Sequence, residues 1–315
     1  MIVTVTPNPS LDRTYELPEL RRGEVNRAAT DRVDPGGKGV NVALALTAAG
    51  HRAAAVLPLG GTSGQLLSEL LLRQGIEVAA VPVGGATRTN VSVVEAGGTL
   101  TKLNAAGPEL TAQESAALLA AVRLAPGTYD RVDWLACCGS LPRGVGPEWY
   151  AELVAQVHSG GARIALDTSG PALLAALTAR PDVVKPNREE LAEAVGRPLA
   201  TIGDAVDAAG ELRKLGAQQV LASLGADGML LVAEEGSWYG TAPVAAVRSD
   251  VGAGDASLAG FLGAGGSGPR ALAAALAHGA AAVQLPGSVM PTPADLDPAA
   301  VTVTAEIPLD RQLRG

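Results

Sequence analysis

The chain has 315 residues, 47% of them hydrophobic and 18% charged, enough apolar material for one large α/β domain and too much for a disordered chain. A formal net charge of −8 argues against nucleic acid as the main partner, because duplex binding needs a cationic face to displace phosphate counterions. Three histidines (His51, His158, His278) without metal-type spacing, and two cysteines that are adjacent (Cys137, Cys138), argue against a transition-metal centre and an ordinary disulfide.

In chain order, "MIVTVTPNPS" alternates as a strand does and lacks the layout of a signal peptide. No run of eighteen apolar residues follows, so the expectation is a cytoplasmic protein that meets no membrane. "RTYEL" (13–17) and "NRAATDRV" (26–33) read as short strands, and 87–104 reads as a hairpin turning at Gly97-Gly98. These pieces have few apolar residues of their own, so a small sheet built from them needs cover from the active site or from a second subunit. Between them, "DPGGKGVNVALALTAAG" (34–50) predicts a helix opened by Gly36 and Gly37, with a stripe of Val40, Ala43, Leu44 and Thr47, closed by Gly50. Lys38 is out of place there. A cation in the first turn opposes the helix dipole by about 0.3–1 kcal/mol unless an anion lies nearby or water screens it.

From about residue 132 apolar runs alternate with helical segments: "VDWLACC", "PEWYAELVAQVHSGG", "ARIALD", "PALLAALTAR", "DVVKPN", "EELAEAVG", a helix near 202–214, and "QQVLASLG". Strand and helix in alternation demand parallel pairing through helical crossovers, hence a doubly wound, mainly parallel sheet whose ligands bind beyond the strands' carboxyl ends. The two cysteines are expected to fill the core of such a strand.

"PVAAVR" (243–248) reads as one more strand, followed by "SDVGAGDASLAG" (249–260) at the start of an apolar helix. Glycines at 252 and 254 let amides approach a ligand closely, and the first helical turn offers free N–H donors to an anion. Asp255 is then either a favourable first-turn carboxylate or a general base beside a bound phosphate; both readings stay open on the residues alone. A dinucleotide fingerprint fails, because Ser257 replaces the third glycine and no Asp or Glu occurs between 256 and 294. A P-loop fails as well, since Gly39 follows Lys38 and Arg32 stands five before Gly37.

"VTPNPSLDRTYE", "DPGGKGVNVA", "TRTN", "GSLP", "LDTSG", "VKPNREEL", "SLGADG" and "VGAGD" resemble, in order and spacing, the ribokinase-like (PfkB-type) carbohydrate kinases over residues 1 to about 287. The branch most resembled holds 1-phosphofructokinase and tagatose-6-phosphate kinase. The resemblance implies a single domain over 1–315: a helix-flanked central sheet with a discontinuous β lid formed by about 12–34 and 86–105. It implies Asp255 as the base that deprotonates the sugar hydroxyl, and Gly252, Ala253 and Gly254 as an anion hole for the migrating phosphoryl group. Lys185, Asn187, Ser223, Gly225 and Gly228 would meet ATP, and Glu190 of the N-x-x-E pattern would hold Mg²⁺ through water. The residues by themselves make Asn187 an N-cap and Glu190 its capping-box partner. Asp12, Asn41, Gly36 and Gly37 would meet sugar hydroxyls, with Asn8 assisting, and Arg88, Arg27, Lys38 and Ser140 the phosphate already on the substrate.

The activity implied is ATP-dependent phosphorylation of D-fructose 1-phosphate at O6, with tagatose 6-phosphate or fructose 6-phosphate as alternative substrates. The partners implied are ATP and a sugar phosphate, neither nucleic acid nor membrane, and a second subunit packed through the lid. A monovalent cation near 249–254 is a further candidate cofactor. A non-catalytic sugar-phosphate sensor is the reading from another class, and loss of the base would be its mark.

Overall fold

The computed structural model describes residues 1–129, 131–158 and 161–314. The elements run β1 (Ile2–Val5), β2 (Ser10–Leu17), β3 (Thr30–Gly36), α1 (Lys38–Ala48), β4 (Ala53–Leu59), α2 (Gly61–Arg73), β5 (Glu77–Pro82), β6 (Arg88–Glu95) and β7 (Leu100–Leu103). There follow α3 (Ala112–Thr128), β8 (Trp134–Cys138), α4 (Trp149–His158), β9 (Arg163–Asp167), α5 (Gly170–Leu177), β10 (Val183–Val184), α6 (Arg188–Val195), α7 (Ile202–Leu215) and β11 (Gln219–Ser223). The last are β12 (Met229–Val232), β13 (Ser237–Thr241), α8 (Ala253–Gly263), α9 (Gly268–Ala282) and β14 (Thr302–Thr304).

A ten-stranded sheet has the order β14-β13-β12-β11-β10-β9-β8-β1-β4-β5. From β11 to β5 every pairing is parallel, and the β12, β13 and β14 edge is antiparallel. Side-chain alternation divides the core in two. Val3, Val5, Leu135, Cys137, Ile164 and Leu166 face the layer that includes α4, α5 and α7. Ile2, Trp134, Ala136, Cys138 and Ala165 face α1, α8 and α9. Cys137 and Cys138 therefore point to opposite faces, each fully buried and free, as a strand-core role requires.

Four strands form the second sheet, in the order β3-β2-β6-β7, with β2 antiparallel to β3 and parallel to β6. The hairpin turns at Ala96–Thr99, where Gly98 takes φ 86°. The strand expected over 26–33 begins only at Thr30, and β3 runs on to Gly36.

Two sequence-based expectations need correction. "PVAAVR" is not a strand: residues 243–248 form an exposed irregular segment with Val247 at 72% exposure. Pro243 lacks a donor for a ladder, and at its far end the chain is held by the Arg248 amide on the Val283 carbonyl (2.8 Å). The buried face of α1 also departs from its spacing: Gly39, Val40, Asn41, Val42, Ala43, Ala45 and Leu46 are all buried, while Leu44 and Thr47 of the expected stripe are only half-buried. A helix packed by β1, β4, β8 and α8 has little free face.

Since the central strands are parallel, the ends of β1, β8, β9, β10 and β11 lie on one edge, and the amino ends of α1, α6 and α8 meet them there. No helix among the described residues is long and apolar enough to cross a membrane.

Candidate active site

Asp255 occupies the first turn of α8 at only 7% exposure. The turn ahead of it is left-handed at Gly252 (φ 79°), a conformation that favours glycine, and a Cβ there would also displace the Met290 methyl, 2.8 Å away. The Gly252 carbonyl accepts the Ala256 amide at 2.8 Å as the helix begins. The Ala253 amide makes a long bond of 3.4 Å to the Asp250 carbonyl.

Asn41 Nδ2 donates to Asp255 Oδ2 at 2.8 Å, tying the second turn of α1 to the candidate base. Burial, with the negative charge of Asp167 nearby, pushes the Asp255 carboxyl up to about 7; Lys185, the Asn41 amide and Lys38 recover only part of that rise.

Asp167, at the carboxyl end of β9, is the electrostatic centre of the site and fully buried. Lys38 Nζ lies 2.8 Å from its Oδ1 and Lys185 Nζ 2.9 Å from its Oδ2. Burial alone would push Asp167 up, but Lys185 and Lys38 outweigh it and hold the carboxyl below its usual range. Burial likewise disfavours the Lys38 ammonium, and Asp167 with Glu190 more than reverses that. The cation that opposed the dipole of α1 is thus answered by the protein's own carboxylates. A Cβ on Gly254 would meet Lys185 Nζ at 3.3 Å, so an ammonium stands beside the glycine turn.

Lys38 also reaches Glu190 Oε1 at 3.3 Å. Glu190 Oε2 accepts the Asn187 amide (2.9 Å) and Asn187 Oδ1 accepts the Glu190 amide (2.8 Å), a complete capping box for α6. The Ser223 amide donates to the Pro186 carbonyl at 3.1 Å, which sets the 223–228 turn against the N-x-x-E turn. There Gly225 faces open space and is exposed, while Gly228 (φ 100°) packs on the Gly240 carbonyl.

The small sheet supplies another group. Asp12 Oδ1 accepts from Ser10 Oγ (2.7 Å) and Asn90 Nδ2 (2.9 Å), and a Cβ on Gly36 would lie 2.4 Å from the Asp12 carboxylate. Arg88 is clamped by the carbonyls of Ala105 (2.9 Å) and Asn8 (3.0 Å), leaving its Nε buried without a partner. Burial lowers its pKa, with Asp12 opposing. Asn8 Nδ2 reaches the Ala106 carbonyl and Ser140 Oγ, and its Oδ1 is buried and unpaired.

The sequence-predicted residues thus form two groups, Asp255 with Asn41, Lys38, Lys185, Asn187 and Glu190, and Asp12 with Gly36, Arg88, Asn8 and Ser140. Lys38 pairs with Asp167 and Glu190, not with the Arg88 group, and Arg27 lies exposed in the connection from β2 to β3. Two residues escaped the sequence reading, Asp167 in "LDTSG" and Asn90 in "TRTN". The signal for Asp167 was available: a carboxylate ending a strand of a doubly wound sheet lies where such sheets bind ligands.

Among the described residues no three His, Cys, Asp or Glu side chains converge as a cage for a metal ion. Without such a cage the residues fit only an ion held mostly by water and phosphate oxygens, as Mg²⁺ is, and Glu190, 15% exposed, is the carboxylate that would face it.

The sequence profile described as pfkB family carbohydrate kinase matches residues 6–295. The chain is 43% identical over 266 residues to 1-phosphofructokinase of Rhodobacter capsulatus, covering 83% of this chain and 82% of that one. Phosphofructokinase-2 from Escherichia coli in complex with potassium superposes with a TM-score of 0.87 at 33% identity, covering 93% of this chain and 96% of that one. The same enzyme in complex with fructose-6-phosphate gives a TM-score of 0.85 at 33% identity, with the same coverage of both chains.

Proposed function

The chain belongs to the pfkB family of carbohydrate kinases, and from that premise we propose that it transfers the γ-phosphoryl group of ATP to O6 of D-fructose 1-phosphate, giving fructose 1,6-bisphosphate. One observation carries the catalytic part. A buried carboxylate whose proton is balanced near neutral pH stands at the amino end of a helix, beside an ammonium that faces the glycine turn.

Such a carboxylate suits proton transfer, because general-base efficiency is greatest when the pKa lies near the working pH. Asp255 takes the proton of the attacking hydroxyl, and the Asn41 amide fixes the direction of its accepting oxygen. The turn Gly252, Ala253 and Gly254 and the Lys185 ammonium stabilise negative charge on the migrating group, which is most of what loose phosphoryl transfer requires. Mg²⁺ would supply charge neutralisation on the phosphate oxygens, and Glu190 is the residue that would hold it, through water. Asn187, Ser223, Gly225 and Gly228 line the nucleotide side, Gly225 turning open backbone toward it.

On the sugar side Asp12, with Gly36, Gly37 and Asn90, receives hydroxyls, and Arg88 with Asn8 and Ser140 receives the substrate's phosphate. The forked donors of arginine suit that task.

A release assay for ADP with fructose 1-phosphate, tagatose 6-phosphate and fructose 6-phosphate tests the substrate. The highest kcat/KM is expected with fructose 1-phosphate. The fructose-6-phosphate complex of the E. coli relative supports the second choice, and ADP from none of the three overturns the kinase reading.

The potassium complex of that relative supports a monovalent-cation requirement here, for which 249–254 is the candidate place, checked by turnover in potassium against tetramethylammonium. The edge strand β7 carries exposed Leu100 (41%) and Leu103 (62%), which supports a dimer joined through the small sheets. An enzyme that consumes ATP and a phosphorylated sugar works where both are kept, in the cytoplasm.

A further inference from the structure

The chain after β14 lies outside every motif used so far, yet it is tied to both turns of the proposed nucleotide side. Its backbone runs antiparallel to the start of α7, with Ile202 and Gly203 amides donating to the Arg311 and Leu309 carbonyls (3.0 and 2.9 Å) and the Leu313 amide to the Ala200 carbonyl (2.8 Å). Leu313 is buried in the core cluster of that layer.

Two contacts then leave the tail for the nucleotide turns. The first is from Arg188, the residue between Asn187 and Glu190, whose guanidinium donates to the Arg314 carbonyl and to the Leu199 carbonyl (2.9 Å). The second is on Asp227, inside the 225–228 turn, whose side chain is 2% exposed. Its Oδ2 accepts the Arg314 amide at 2.7 Å, and its Oδ1 has Arg311 Nη2 and Arg314 Nε at 3.4 Å each. Tyr239 Oη donates to the Asp227 carbonyl (2.6 Å) and itself accepts from Arg311 Nη1 (3.1 Å). A carboxylate so buried holds its place only while its charge is answered, and both cations that answer it come from the last residues of the chain.

We infer that residues 307–314 act as a strap that fixes the two nucleotide turns relative to one another, with Asp227, Arg311 and Arg314 as positioning residues for ATP. None of the three touches the reacting atoms. The inference rests on the proposed function, since it takes the 225–228 turn as a nucleotide contact. The strap leaves Asp12, Arg88 and Asn90 untouched, so its effect is confined to one substrate.

Steady-state kinetics of the full-length Asp227→Asn and Arg311→Ala variants test it, with Arg311→Lys as the conservative control. The KM for ATP is expected to rise about tenfold in the first two, as for loss of a charge-assisted hydrogen bond. The KM for the sugar phosphate and kcat stay within about twofold to threefold, and Arg311→Lys recovers most of the ATP affinity. Should Asp227→Asn fail to fold, Arg311→Ala, whose side chain is 38% exposed, carries the test alone. Equal rises in both KM values, or an unchanged KM for ATP in a folded variant, overturn the strap while the kinase reading stands. A parent chain that makes no ADP overturns both.

Discussion

At the scale of single residues, the site is a balance among carboxylates and ammonium groups that share one buried space. Asp255 bears the cost. Its folded-state carboxyl is raised from an ordinary 3.8 to about 7, so the native chain holds this proton more firmly than the unfolded one. The stability it contributes is full below about pH 4 and is lost as pH rises through about 7, by at most about 4 kcal/mol. Asp255→Asn is therefore expected to be more heat-stable than the parent at pH 8, while its turnover falls about 10²- to 10⁴-fold with little change in either KM. Calorimetry and ADP release read the two halves of that prediction, and a variant as fast as the parent removes Asp255 from the mechanism. In the parent, kcat/KM should rise with pH through about 7, as the base loses its proton. Asp167 runs the other way: its lowered carboxyl contributes stability above the unfolded value that is lost as pH falls. Asp167→Asn leaves the buried Lys185 without its carboxylate partner and Lys38 with Glu190 alone, so a loss of about 3–5 kcal/mol in denaturant unfolding is expected.

At the scale of elements, one residue often serves both a helix and a ligand, and variants can separate the two duties. Asn187→Ala removes the cap of α6 and should cost about 0.5–2 kcal/mol of stability together with ATP affinity. Glu190→Gln keeps a hydrogen-bonding partner for the Asn187 amide but loses the charge, so it should shift the Mg²⁺ dependence of the rate with little loss of stability. An equal fall in stability for the two variants would show Glu190 to be structural alone. Most elements were legible from period and punctuation: β8, β9, α6, α7 and β11 lie where apolar runs and capping residues set them. The failure at 243–248 has a physical cause. The valine content of the segment suits a strand, but without a neighbour to accept its ladder it stays an exposed connection.

For the whole molecule, we propose that residues 1–315 fold as one kinase domain with its lid formed by about 12–34 and 86–105, which predicts a single cooperative thermal transition. If the small sheets join two copies, Leu103→Asp should shift sedimentation at micromolar concentration toward the monomer. The sequence by itself determined the glycine turn before α8 and the capping box of α6, because these depend on neighbours within a few residues, and the doubly wound sheet, because strands alternating with helices demand parallel pairing through crossovers. Only the tertiary structure decided that Lys38 answers Asp167 over a separation of 129 residues, that Asn41 holds Asp255, and that Arg311 and Arg314 neutralise Asp227. Charges buried side by side choose their partners by where the sheet delivers them, and local spacing carries no record of that choice.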